Sequence, residues 1–110
     1  RTRASNHARC FEACTRGAAY GDFCAAACLQ EENTKMMAAC IRLDMQCAAI
    51  CRLAAEYMAQ DSRFAAQLCS LCAEVCQACG EECGKHDHDH CRQCADACMD
   101  CVRECRKMAA

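Results

Sequence analysis

Between Cys69 and Cys105 the chain places cysteines at Cys69, Cys72, Cys76, Cys79, Cys83, Cys91, Cys94, Cys98, Cys101 and Cys105, in steps of three and four broken once by a histidine-rich segment. On an α-helix such steps return each side chain to one face, so each half carries a stripe of thiols where a bundle helix ordinarily carries leucine. The same spacing recurs upstream at Cys10, Cys14, Cys24 and Cys28, and again at Cys40, Cys47 and Cys51. The pattern confines the chain to helices that bury thiols.

Four amphipathic stretches follow from it. Helix 1 is expected from about Ala4 to Gln30, capped by Ser5 or Asn6, and Gly17 and Gly21 fall where its thiol stripe would continue. Those glycines point to local weakening or close helix approach rather than to room for metal. Glu31, Glu32 and Asn33 break the period, and Asn33 or Thr34 can cap helix 2, which runs to about Gln60. Asp61 or Ser62 caps helix 3, and Gly84 suits a left-handed residue after its last turn. Helix 4 covers about Asp89 to Met108. There is no proline, and short connections make neighbours antiparallel. The predicted fold is all-α: one domain, residues 1–110, an antiparallel up-down-up-down four-helix bundle with a cysteine-lined core.

Antiparallel order stacks the seams into layers. Nearest the histidine loop are Cys28, Cys40, Cys83 and Cys91, then Cys24, Cys79 and Cys94 beside Leu43 or Asp44. Gly21, Cys47, Cys76 and Cys98 form the third, and Gly17, Cys51, Cys72 and Cys101 the fourth. Cys14, Ala54, Cys69 and Cys105 follow, and Cys10, Met58, Ala65 and Met108 close the tube. One register thus places all 17 cysteines inside. Met36, Met37, His86, His88 and His90 gather at the first end as a mouth; Tyr57, Met58, Phe64 and Met108 plug the other. Asp44 reads as a solvated or hydrogen-bonded acid, and Met45 and Met99 as packing.

A lone buried cysteine is a small hydrophobe, but 17 in register exceed any packing need and expose the core to oxidation. Disulfide frameworks are loop-rich, whereas these thiols stack along helices and are odd in number, so reduced thiols are expected. Metal is the remaining use. Seven C-x-x-x-C pairs place sulfurs one turn apart, and a linear S–metal–S unit spans about 4.6 Å, so one helix can supply both ligands of a soft ion. Zinc at four thiolates leaves two excess negative charges per site, costly when sites stack in a dry core. Cu(I) pairs one charge with one thiolate, giving multiple ions per chain, on the order of 17 if each thiolate bridges two ions. Iron–sulfur ligation fits poorly, because ferredoxin runs wrap a loop and end in proline.

The predicted ligands are the 17 cysteines, joined by Met36, His86 and His90 at the mouth. Metallothionein-like sequestration of Zn²⁺ or Cd²⁺ is the alternative, an iron–sulfur electron carrier a more distant one; enzyme chemistry is not expected. The formal charge of −2 argues against a nucleic-acid partner, and no apolar run approaches a membrane span. Beginning at Arg1 without an apolar leader, the chain reads as a processed or trimmed product.

Cys10-x-x-x-Cys14, Cys24-Ala-Ala-Ala-Cys28, Cys40-Ile-Arg-Leu-Asp-Met-Gln-Cys47 with Cys51, and the two thiol arms around the histidine loop resemble the cysteine-rich four-helix-bundle copper storage proteins. The resemblance spans nearly the whole chain. It implies storage of many Cu(I) ions inside a bundle, often in a homotetramer, with cytosolic and exported members; a cytoplasmic location is expected. Gly17 and Gly21 depart from it, standing where relatives usually carry cysteine.

Overall fold

The computed structural model describes residues 3–110, with side chains from His7 onward. Four helices fill it: α1 (Arg3–Cys28), α2 (Ala38–Ala59), α3 (Ala65–Cys83) and α4 (Asp89–Ala109), with one 3₁₀ turn, Thr34–Met37, ahead of α2. They form a rod 48 × 17 × 17 Å, and each helix packs chiefly on its two neighbours around a square: α1 on α2 and α4, α3 on α2 and α4. No strand occurs among the described residues. The up-down-up-down bundle expected from thiol spacing is the observed fold.

The helix ends depart from expectation in instructive ways. α1 starts at Arg3, so Ser5 and Asn6 lie within it, their side chains outside those described. It stops at Cys28, two residues early, because the chain tightens through Gln30 N–H to Ala27 O (3.0 Å) and Glu31 N–H to Cys28 O (3.2 Å). Asn33 does cap, accepting from Met36 N–H at 3.3 Å, although the element it starts is the 3₁₀ turn. Neither Asp61 nor Ser62 caps α3 directly. Asp61 takes a left-handed backbone (φ 52°), Ser62 Oγ accepts from Phe64 N–H at 3.1 Å, and α3 begins one residue later without a side-chain cap. Gly84 is not left-handed: its φ of −64° continues the right-handed path into a tight turn, Lys85 N–H to Glu82 O and His86 N–H to Cys83 O. His88 is extended, and α4 starts at Asp89 with an acid in its first turn and Arg106 and Lys107 in its last, both favourable to its dipole.

The two glycines of α1 serve different contacts. A Cβ on Gly21 would stand 2.9 Å from Asp44 O and 3.2 Å from Ala48 Cβ, so this residue lets α1 lie directly on the backbone of α2. A Cβ on Gly17 would meet Cys51 Sγ at 3.1 Å and Cys101 Cβ at 3.8 Å, so this one opens onto the thiol seam. The close-approach reading therefore holds at Gly21. At the base, Met58 is buried, Tyr57 and Met108 are partly so, and Phe64, expected in the plug, is half exposed.

Candidate metal centre

Every one of the 17 cysteines is buried at 0–1% exposure, and none is in a disulfide. Their sulfurs run down the bundle in mutual contact: Cys40–Cys83 at 3.5 Å, Cys47–Cys76 at 3.3 Å, Cys47–Cys98 at 3.7 Å, Cys51–Cys72 at 3.7 Å, Cys51–Cys101 at 3.6 Å and Cys14–Cys105 at 3.6 Å. These pairs reproduce the cross-helix layers read from the sequence for α2, α3 and α4. The seam of α1 is offset toward the histidine end. Cys14 joins Cys51, Cys72 and Cys101, and Cys10 joins Cys69 and Cys105 instead of lying beyond them, while Gly21 lies against Asp44 O and Ala48.

Within such groups the ligand atoms lie no more than 4.8 Å apart. With metal–sulfur bonds of about 2.3 Å, linear coordination needs sulfurs about 4.6 Å apart and trigonal coordination about 4.0 Å. The contacts, 3.3–4.0 Å, thus need only small side-chain adjustment to admit two- or three-coordinate ions. Metal must displace protons to bind. Burial pushes the Cys28 thiol up to about 11, and burial likewise raises Cys91.

Asp44 interrupts the thiols. Fully buried, it accepts Cys83 S–H at 3.2 Å, Cys79 S–H at 3.3 Å and Cys94 S–H at 3.5 Å on Oδ1, and Cys40 S–H at 3.7 Å on Oδ2. Of the two readings of this residue, hydrogen-bonded is right and solvated is wrong. Its position one turn after Cys40 puts it on the seam, while Leu43 points to the flank, partly buried. Loss of water on burial raises its carboxyl to about 6.

At the histidine end the sequence-predicted side chains separate. His90 Nδ1 lies 3.5 Å from Cys91 Sγ, 3.6 Å from Cys24 Sγ and 3.9 Å from Cys28 Sγ. His86 is held away from them, with Nε2 2.8 Å from Glu82 Oε2 one turn back, and that bond holds Glu82 below the usual carboxylate range. Met36 is 66% exposed, whereas its neighbour Met37 is 2% exposed and belongs to the core. His88 stacks parallel on His90, centroids 5.3 Å apart. The structure thus brings His90 and the thiols together and leaves His86 and Met36 to the side. Sequence reasoning passed over Glu31, whose Oε2 lies 2.8 Å from His90 Nε2. The available signal was topological: the 1–2 connection ends at the same face as the histidine loop.

A helical bundle whose core is lined from end to end with free thiols, with an imidazole against them at one end, defines a class of protein, the helical store for soft metal ions. The chain belongs to the copper storage protein (Csp) family, whose family model matches residues 3–110. It is 50% identical over 101 residues to the uncharacterized cysteine-rich protein YhjQ of Bacillus subtilis (strain 168), covering 92% of this chain and 94% of that one. Among solved structures, the Cu(I)-bound copper storage protein BsCsp3 superposes with a TM-score of 0.92 at 48% identity, covering 96% of this chain and 99% of that one. A cytosolic copper storage protein from Streptomyces lividans, loaded with five coppers, gives 0.93 at 37% identity, covering 97% and 94%. The function is storage of Cu(I) by cysteine clusters lining the bundle. None of the helices described is long and apolar enough to cross a membrane.

Proposed function

We propose that all 17 cysteines serve as thiolate ligands to multiple Cu(I) ions within one chain, that ions enter past His90, and that the protein performs no catalysis. The observation that carries this reading is the column of sulfurs, 0–1% exposed throughout and met, among the described residues, by imidazole nitrogen at His90. Bridging thiolates let n ions be neutralised by about n ligands, so a filled interior stays near neutral, which a dry core requires. His90 hands ions inward from solvent, with Met36 and His86, the other two groups expected there, standing to its side. A reducing, cytoplasmic setting suits sulfurs packed this closely, and homo-oligomerisation suits a surface that exposes Phe23, Leu53, Phe64 and Leu71.

Zn²⁺ or Cd²⁺ sequestration draws on four-thiol groups: Cys14–Cys101, Cys51–Cys101, Cys51–Cys72 and Cys72–Cys101 stand 3.5–3.9 Å apart, close to the edge of an S₄ tetrahedron, and Cys24, Cys28, Cys40 and Cys91 form a second such group. Each such site would hold one divalent ion with two excess negative charges, a cost that grows with every site filled in a dry core. Anaerobic titration of the fully reduced protein separates the readings. Cu(I) saturation well above ten ions per chain is expected; saturation near four ions with Zn²⁺ held more tightly than Cu(I) would sink the copper reading.

A further inference from the structure

We propose that Glu31 is the positioning residue of the copper mouth, fixing His90 so that its Nδ1 lone pair faces Cys24, Cys28 and Cys91. The inference rests on the reading of the His90 end as the place where ions enter. A neutral imidazole carries one N–H and one lone pair, and which nitrogen holds the proton is set by what the other end of the ring meets. At Nε2 the partner is a carboxylate oxygen, Glu31 Oε2, at 2.8 Å. An ionised carboxylate only accepts, so Nε2 carries the hydrogen and donates it. Nδ1 is then the bare nitrogen, and it is the atom 3.5, 3.6 and 3.9 Å from three sulfurs.

Those distances have the size that metal ligation requires. With bonds of about 2.0 Å to nitrogen and about 2.3 Å to sulfur, a trigonal ion holds nitrogen and sulfur about 3.7 Å apart. The site is therefore already set for one ion between Nδ1 and two of the thiolates, with the third able to take the ion inward. The opposite tautomer would aim an N–H at the thiols and offer no ligand. It would also leave a lone pair against the Glu31 carboxylate.

Glu31 is itself held. Its N–H donates to Cys28 O at 3.2 Å and its carbonyl accepts Thr34 Oγ–H at 3.3 Å, so the turn that ends α1 presents the carboxylate to α4. The same Oε2 lies 3.6 Å from His88 Nδ1, and the His88 ring stacks on His90 at an interplanar angle of 4°. Carboxylate and stacked ring together fix the plane of His90, an arrangement that in metal proteins raises ligand basicity and whose loss costs roughly 10–100-fold in metal affinity or activity. His86 has its own carboxylate, Glu82, but faces no thiol with its remaining nitrogen among the contacts described.

The test uses the reduced, metal-free full chain and Cu(I) supplied as a soluble complex. In the unsubstituted protein, ¹⁵N-detected spectra should show His90 as a single Nε2–H tautomer. Glu31→Ala should give averaged ring nitrogens and slow uptake of the first Cu(I) equivalents about tenfold, with final capacity unchanged. Glu31→Gln, which keeps an acceptor oxygen without the charge, should restore the tautomer and most of the rate. A purely structural role would lower stability without moving the His90 resonances. An unchanged His90 spectrum in Glu31→Ala, or unchanged early uptake, overturns the inference. Low Cu(I) capacity in the unsubstituted protein would instead overturn the storage reading on which it rests.

Discussion

The carbonyl oxygen of Asp44 lies 2.9 Å from where a Cβ on Gly21 would stand, so α1 and α2 touch backbone to backbone at the level where the acid enters the thiol column. Gly21→Ala must push the helices apart against a rigid carbonyl, and about 1–3 kcal/mol of stability should be lost. At Gly17 the nearest atom is instead the end of a side chain, Cys51 Sγ at 3.1 Å, which can rotate. There the helix preference of alanine over glycine, about 1 kcal/mol, should offset the crowding. Urea unfolding of the two reduced variants should therefore rank Gly17→Ala above Gly21→Ala. Equal stabilities would mean that the helices can separate freely at Gly21.

Asp44 should make the metal-free protein more stable in mild acid. Its carboxyl rises from 3.8 to about 6 on folding, chiefly through burial. A raised acid binds its proton more tightly when folded, so its contribution is fully present below the unfolded value and is lost as pH climbs through the folded one. Between about pH 4 and pH 7 this group should withdraw about 3 kcal/mol. Glu31 and Glu82 are shifted downward by histidine partners and act in the opposite sense, so the informative quantity is a difference. The gap in unfolding free energy between the parent and Asp44→Asn should change across this window. A constant gap would show that the carboxylate keeps its charge at no cost.

The bundle and its sulfur column were legible because a period of three and four residues is a statement about helix faces, and antiparallel order then fixes which thiols share a level. Cys47, Cys76 and Cys98 meet where that reasoning puts them. It missed by part of a layer on α1, where Gly21 lies on the Asp44 carbonyl, a contact that has no periodic signature. The histidine end was legible as a place and not as a geometry. Three histidines in a five-residue stretch look alike in sequence, and only the turn at His86 and the extended backbone at His88 send one ring outward and turn His90 in.

That difference between the histidines should appear in loading kinetics. His90→Ala removes the one ring nitrogen found against Cys24, Cys28 and Cys91 and should slow the first equivalents of Cu(I). His86→Ala breaks only a bond to Glu82 and should load at close to the parent rate. Stopped-flow uptake at substoichiometric Cu(I) distinguishes them. Equal slowing by both substitutions would mean that the loop acts as a pool of imidazole, with no single ligand at the mouth.

Cys10, Cys69 and Cys105 form the group farthest from that mouth, with Cys10 separated from Cys28 along α1 by about 27 Å of helix. If ions fill inward from His90, this group is reached last. Replacing all three with alanine keeps helix-forming residues in place and removes three sulfurs from the core, at about 1 kcal/mol each for the space left behind. The triple variant should stay helical without metal, take up its first Cu(I) equivalents at the parent rate, and saturate about three ions short, because each bridging thiolate accounts for roughly one ion. Alanine at Cys24, Cys28 and Cys91 should cost a similar number of ions and also slow the start. Comparing the two triple variants by loading kinetics and by mass of the fully loaded chain therefore gives the direction of filling. Slow early uptake confined to the Cys10, Cys69 and Cys105 variant would place the route of copper at the opposite end, beside Met58 and Met108.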